Sequence, residues 1–269
     1  MKYGFVQKLM WAGYKGTFKK QLSEALRESD PKAVMKEAHK KYKKILADVT
    51  EFEKGDRFLI NILSCALLSS ILLSVKNKYT VEEVRVYYRG AMCDNFLTKA
   101  ASKKSKAYTE KGRELLKQQA EKSEILAAKN PYSWRFAVED GKTINQYTAT
   151  FYTCGICYLM TKLGLKEYIP AMCTLDYDMA ALNNTVFTRE YTLAGGGAYC
   201  DCHYDHIGMN RRRIFNLHIN PVISFRKTLH HRIKHQIYTV LAHFGMNKRR
   251  HIPVKGLSLI HISEPTRQE

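Results

Sequence analysis

The spacing of apolar positions changes once along this chain, near residue 130. Before that point apolar residues recur every three or four positions, the period of a helix with one buried face. Residues 17–28 and 31–50 read as helices. In SDPKAVMKEAHKKYKKILADV, Ser29-Asp30 followed by Pro31 supplies a capping side chain and a proline at the first helical turn. Ala33, Val34, Ala38, Tyr42, Ile45 and Leu46 then fall on one side. Thr80 with Glu83 three residues later forms a capping-box pattern and opens a helix through about Thr98. Residues 105–128 read as a charged amphipathic helix ended by Asn130-Pro131.

Residues 58–75, FLINILSCALLSSILLSV, carry no charge. The run is at the short end for a membrane span and holds Asn61, Ser64, Ser69, Ser70 and Ser74. A buried central helix is the expectation, with no membrane partner.

After residue 130 the period shortens to two. WRFAVEDG and KTINQYTATFYTC flank Asp140-Gly141, a hairpin signal. Tyr147, Ala149, Phe151 and Thr153 alternate with polar neighbours, as in a half-buried strand. Residues 155–164 and 171–182 read as short helices, the first closed by Gly164. NTVFTREYTLA, residues 184–194, reads as a strand paired with AYCDCHYDH across three glycines. Helices first, then strands with short helices, imply an α+β fold: a helical half (1–130) packed on a small antiparallel sheet (131–208), together one domain.

Composition changes the picture at the C-terminus. The net charge is +19, and residues 207–269 hold 12 Lys/Arg against 2 Asp/Glu. Residues 257–267, LSLIHISEPTR, resemble translated sequencing-adapter DNA. Residues 209–256 therefore read as a basic tail of doubtful origin and 257–269 as an artefact. No nucleic-acid partner is expected from so loose a charge run. The chain has seven cysteines, an odd number, and its start lacks the apolar core of a secretory signal. A reducing, cytoplasmic setting with free thiols follows as the expectation.

The candidate chemistry lies in residues 150–206. Cys154 and Cys157 form a CxxC pair, and with Cys173 and Cys200 they make an alternative zinc site. Gly195–Gly197 lack the Gly-Lys-Ser/Thr ending of a phosphate loop and read as a turn or bulge. On a strand Cys200 and Cys202 face one way, Asp201 and His203 the other, so a Cys200–His203 pair needs a bulge.

The order Cys173–Asp176, Arg189, Thr192-Leu193-Ala194, Gly196, Cys200-Asp201 and Tyr204 resembles the L-2-amino-thiazoline-4-carboxylic acid hydrolase family. Cys202 departs from the aromatic residue common there after Cys-Asp. The resemblance implies a hydrolase of cysteine-related metabolism, acting on carbon–nitrogen bonds in cyclic amidines and yielding an N-carbamoyl amino acid. It implies a small-molecule substrate and no cofactor, zinc being the alternative. The residues it brings forward are Cys200 as nucleophile, its pKa lowered by a nearby cation, with Cys173 as the rival. Asp176 and Asp201 would grip the amidinium, His203 would shuttle protons, and Arg189 would hold the carboxylate. Thr192, Gly196 and Tyr204 complete the substrate-binding set. The non-enzyme alternative is a zinc- or ligand-binding regulatory module with a nucleic-acid-contacting tail.

Overall fold

Phe58 and the apolar run after it fold inward. The computed structural model describes residues 1–54, 56–102 and 106–207, all within one compact unit. The tail expectations for 209–256 and 257–269 lie outside the described residues. Helix α3 (Leu59–Leu72) buries every residue from Ile62 to Ile71. Each fully buried Leu or Ile there contributes about 1.5–3 kcal/mol. Ser64 and Ser70 satisfy their hydroxyls on carbonyls one turn back. No helix among the described residues is long and apolar enough to cross a membrane.

Against α3 pack α2 (Pro31–Ala47) and α1 (Phe5–Glu24), and α4 (Val81–Cys93) packs on α1. Asp30 caps α2 by accepting the Ala33 N–H at 2.9 Å. The Thr80–Glu83 box closes in both directions. Several boundaries differ from the sequence reading, helix 171–182 among them being two helices, Ile169–Cys173 and Leu175–Leu182, and two of the differences have a plain cause. Helix α1 begins twelve residues before position 17, because Met10, Trp11, Tyr14, Phe18 and Leu22 all pack into the core. The helix opened by Thr80 stops at Cys93, and α5 (Phe96–Ser102) follows a break. Asn95 makes that break: its Oδ1 accepts the Leu97 N–H at 2.8 Å, and its Nδ2 donates to the Gly13 carbonyl at 2.9 Å.

Helix α6 (Glu110–Lys129) lies beside the sheet. The sheet has order β1-β2-β4-β3 and is antiparallel throughout, with β1 (Phe136–Asp140), β2 (Gln146–Phe151), β3 (Thr185–Thr188) and β4 (Cys200–His206). Ser123 on α6 donates to the Phe136 carbonyl and accepts its N–H, which covers the free edge of β1. Between β2 and β3 run α7 (Gly155–Lys162), α8 (Ile169–Cys173) and α9 (Leu175–Leu182). The architecture is α+β, a helical N-terminal half against a small antiparallel sheet.

The sequence reading carries β3 through residue 194. The strand ends at Thr188, and the chain reaches Cys200 through an eleven-residue loop containing a short 3-10 turn, Leu193–Gly195. Thr192 caps that turn through its hydroxyl, 2.9 Å from the Gly195 N–H. Gly196 closes it at φ +84°, a conformation that favours glycine.

Candidate active site

Strand β4 is central in the sheet, so both of its edges are hydrogen-bonded and its two faces divide its side chains. Register pairs Phe151 with Cys200, Ala149 with Cys202 and Tyr147 with Tyr204. These side chains form the inner face. Cys200 and Cys202 are buried with Ala149, Ala180 and Phe187, and Tyr204 stacks on Tyr147 at 4.6 Å. Thr150 with Asp201 and Thr148 with His203 form the outer face. β4 runs without a bulge between them, so His203 and Asp201 stand on the opposite side from the Cys200 thiol.

The inner face gathers charge. Asp176 enters from the first turn of α9, where a helix N-terminus favours a carboxylate. Its Oδ2 accepts from Arg189 Nη1 at 2.9 Å, and Arg189 Nη2 donates to the Cys173 carbonyl at 2.9 Å. The Arg189 side chain is 6% exposed and its Nε is buried without a hydrogen-bond partner. Desolvation opposes its charge, and Asp176 foremost keeps it protonated. The guanidinium also lies 5.3 Å from the Phe187 ring centre. Arg189 is thus already engaged at both terminal nitrogens, by a carboxylate and by a backbone carbonyl.

Half of the Asp176 side-chain surface is accessible, yet desolvation raises its pKa. Cys154 and Cys173 keep accessible surface and are likewise raised, Cys173 by burial first and Cys154 by the neighbouring Cys157 thiol first. These groups, with Cys200, Cys202 and Arg189, act on one another electrostatically. The inner end of the sheet therefore carries a cluster of thiols around one Asp–Arg pair.

The Cys200 thiol accepts the Leu193 N–H at 3.2 Å. Burial raises its pKa, and the Leu193 N–H and Arg189 offset this only in part. The lowered pKa expected from a nearby cation is thus reversed in this state. Burial also pushes Cys202 up to about 12, which leaves it a small apolar group.

On the outer face Asp201 Oδ1 accepts the Tyr191 N–H at 2.6 Å, and its two oxygens accept the Glu190 N–H at 3.2 and 3.1 Å. Asp201 therefore anchors the loop after β3. His203 sits 3.4 Å from Asp201 and takes a hydrogen bond with Thr148 at 2.8 Å. Thr192 and Gly196 shape the loop, and Tyr204 lies on the inner face. No three His, Cys, Asp or Glu side chains among the described residues form a group able to hold a metal ion. The zinc set Cys154, Cys157, Cys173 and Cys200 is accordingly not assembled.

Arg57 escaped the sequence reading because it sits alone before the apolar run. Its guanidinium lies 5.6 Å from the Phe58 ring and 5.9 Å from the Phe136 ring. Burial lowers its pKa, while Tyr147 and Tyr204 of the inner face help to hold its charge. Nη1 donates to Gln119 at 3.2 Å, and no carboxylate pairs with it among the described residues. A separate groove of about 650 Å³ between α1 and α5 is lined by none of these groups.

The model of the L-2-amino-thiazoline-4-carboxylic acid hydrolase family matches residues 68–204, just over half of the chain. The chain belongs to this family. The matched segment runs from α3 to β4 and includes Cys154, Cys157, Cys173, Cys200 and Cys202, together with Asp176 and Arg189. The family name denotes a hydrolase with a small-molecule substrate. No curated protein and no solved structure matches the chain.

Proposed function

We propose that this member of the L-2-amino-thiazoline-4-carboxylic acid hydrolase family opens a 2-aminothiazoline-4-carboxylate-type ring to an N-carbamoyl amino acid, using the inner-face cluster. The observation that carries the reading is the Asp176–Arg189 pair set beside the Cys200 thiol. An amidinium carbon needs a nucleophile, a carboxylate to hold its cation, and a second cation for the substrate carboxylate.

Cys200 attacks C2 of the ring, and the C2–sulfur bond breaks to release the substrate thiol. A covalent isothiourea on Cys200 remains. Water adds to that carbon, Cys200 leaves, and a urea is formed. Water thus adds across the carbon–nitrogen double bond, but the bond that opens the ring is carbon–sulfur. The raised thiol pKa fits this order: a bound amidinium adds a positive charge next to Cys200 and favours the thiolate only when substrate is present.

Asp176 takes the amidinium, with Arg189 fixing its carboxylate from behind. Cys173 is the rival nucleophile; its carbonyl bond to Arg189 places it at the same pair. Arg57 replaces Arg189 as the cation for the substrate carboxylate, because Arg57 makes no ion pair among the described residues, only the neighbouring Asp56 helping to hold its charge, whereas Arg189 is paired with Asp176. Tyr204 stands on the same inner face, and Thr192 and Gly196 hold the loop that delivers the Leu193 N–H. His203 and Asp201 act on the outer face, as a support for the loop.

Product analysis after incubation with 2-aminothiazoline-4-carboxylate tests the reading. N-carbamoyl-L-cysteine, with a new thiol for each ring consumed, is expected. Intact substrate after exhaustive incubation with folded protein overturns it.

A further inference from the structure

With the zinc set not assembled, the CxxC pair is left without a role, since the ring-opening reading does not use it. Cys154 is the N-cap of α7, in an extended conformation (φ −141°, ψ 113°), and Cys157 is the third residue inside the helix. N-cap and third-position side chains are the two that meet across a capping box. Cα atoms three apart on a helical turn also lie within the span of a disulfide. The backbone N–H groups of Ile156 and Cys157 at the helix start favour the Cys154 thiolate. The Cys157 thiol acts the other way and, with burial, outweighs them, so Cys154 is held as the thiol. Both are free and half-buried, so both are reachable.

The turn that carries them is clamped. A Cβ on Gly155 would stand 1.9 Å from the Tyr132 carbonyl oxygen and 3.0 Å from the Trp134 ring. Glycine is required there, and the close approach holds Cys154 over the start of α7.

We infer that Cys154 and Cys157 form a redox-active dithiol that takes low-molecular-weight disulfides. Cys157 attacks one sulfur of the incoming disulfide as thiolate, giving a mixed disulfide and releasing one thiol. Cys154 then loses its proton to solvent and attacks the Cys157 sulfur. The second thiol leaves, and a Cys154–Cys157 disulfide remains. One disulfide is reduced to two thiols for each pair oxidised. Cys157 leads because its hydrogen bond is what keeps Cys154 in the thiol form.

The test uses the full chain and glutathione disulfide, and it is independent of the ring-opening reading. After oxidation, the tryptic peptide spanning residues 143–162 is expected to lose two hydrogens and to resist alkylation, while reduction restores both thiols. The C154S variant is expected to trap one glutathione on Cys157, and C157S to trap none on Cys154. Oxidised wild-type protein in which both thiols still alkylate overturns the proposal, as does linkage of either cysteine to Cys173 or Cys200. Because the wild-type map stands alone, a variant that fails to fold does not rescue the idea.

Discussion

The two faces of β4 both carry residues able to do chemistry, and the fold uses them differently. Inward, Cys200 and Cys202 are buried in a thiol-rich cluster beside a carboxylate paired with an arginine. Outward, Asp201 and His203 lie on a face that is open at His203, and Asp201 spends its oxygens on two backbone N–H groups of the neighbouring loop. A carboxylate saturated by its own chain has little left for a ligand, whereas Asp176 keeps accessible surface after pairing with Arg189. The difference teaches that adjacency in CDCHYDH is adjacency across a sheet. Chemistry is expected from the inner face and stability from the outer.

The sharpest way to break this comparison is Cys200→Ala beside His203→Ala. The first is expected to lower kcat/KM on the order of 10³-fold, the second by less than about 5-fold, in assays of thiol release from the thiazoline ring. Equal losses would erase the distinction between faces. The pH profile bears on the same contrast. The buried Cys200 thiol has a raised pKa, so its reactive thiolate form grows as pH rises. kcat/KM should therefore still be climbing above about pH 9, where an ordinary thiol would have levelled off. Saturating amidinium should move the corresponding rise in kcat to lower pH.

Asp176→Asn comes next. It keeps the shape and removes the charge that faces both Arg189 and the expected amidinium, and a loss of about 10²-fold in kcat/KM is expected with the fold retained. Asp201→Asn should do the reverse. Weakening its bonds to Glu190 and Tyr191 is expected to cost about 1–3 kcal/mol, seen as a lower midpoint in urea, with kcat nearly unchanged below the transition. Loss of turnover in folded Asp201→Asn protein would place the outer face in the chemistry.

Much of this contrast was legible in the chain. Period-two alternation alone separates Cys200 and Cys202 from Asp201 and His203, and Asp140-Gly141 and the Thr80–Glu83 box mark real turns and caps. Three features were not legible, each for a physical reason. Helix α1 has weak amphipathicity, because its buried side includes Gln7 and Gln21, so its first half shows no clean stripe. The end of β3 depends on Asp201, thirteen residues beyond Thr188, pulling the loop away by its N–H groups; no local pattern carries that. The engagement of Arg189 and the availability of Arg57 depend on which carboxylates arrive in space, and both arginines look alike in one dimension.

The smallest expected effect belongs to Thr148→Val. Its hydroxyl holds His203 Nδ1 at 2.8 Å on the open face, where His203 is 47% exposed. Water replaces such a bond at little cost, and valine suits a strand well. The change in unfolding free energy should stay within about 0.5 kcal/mol, and kcat/KM within about 2-fold. If His203 served as the proton shuttle, freeing its ring would disturb turnover at neutral pH. A marked fall in kcat with unchanged stability would then move the chemistry of this sheet to the face assigned here to support.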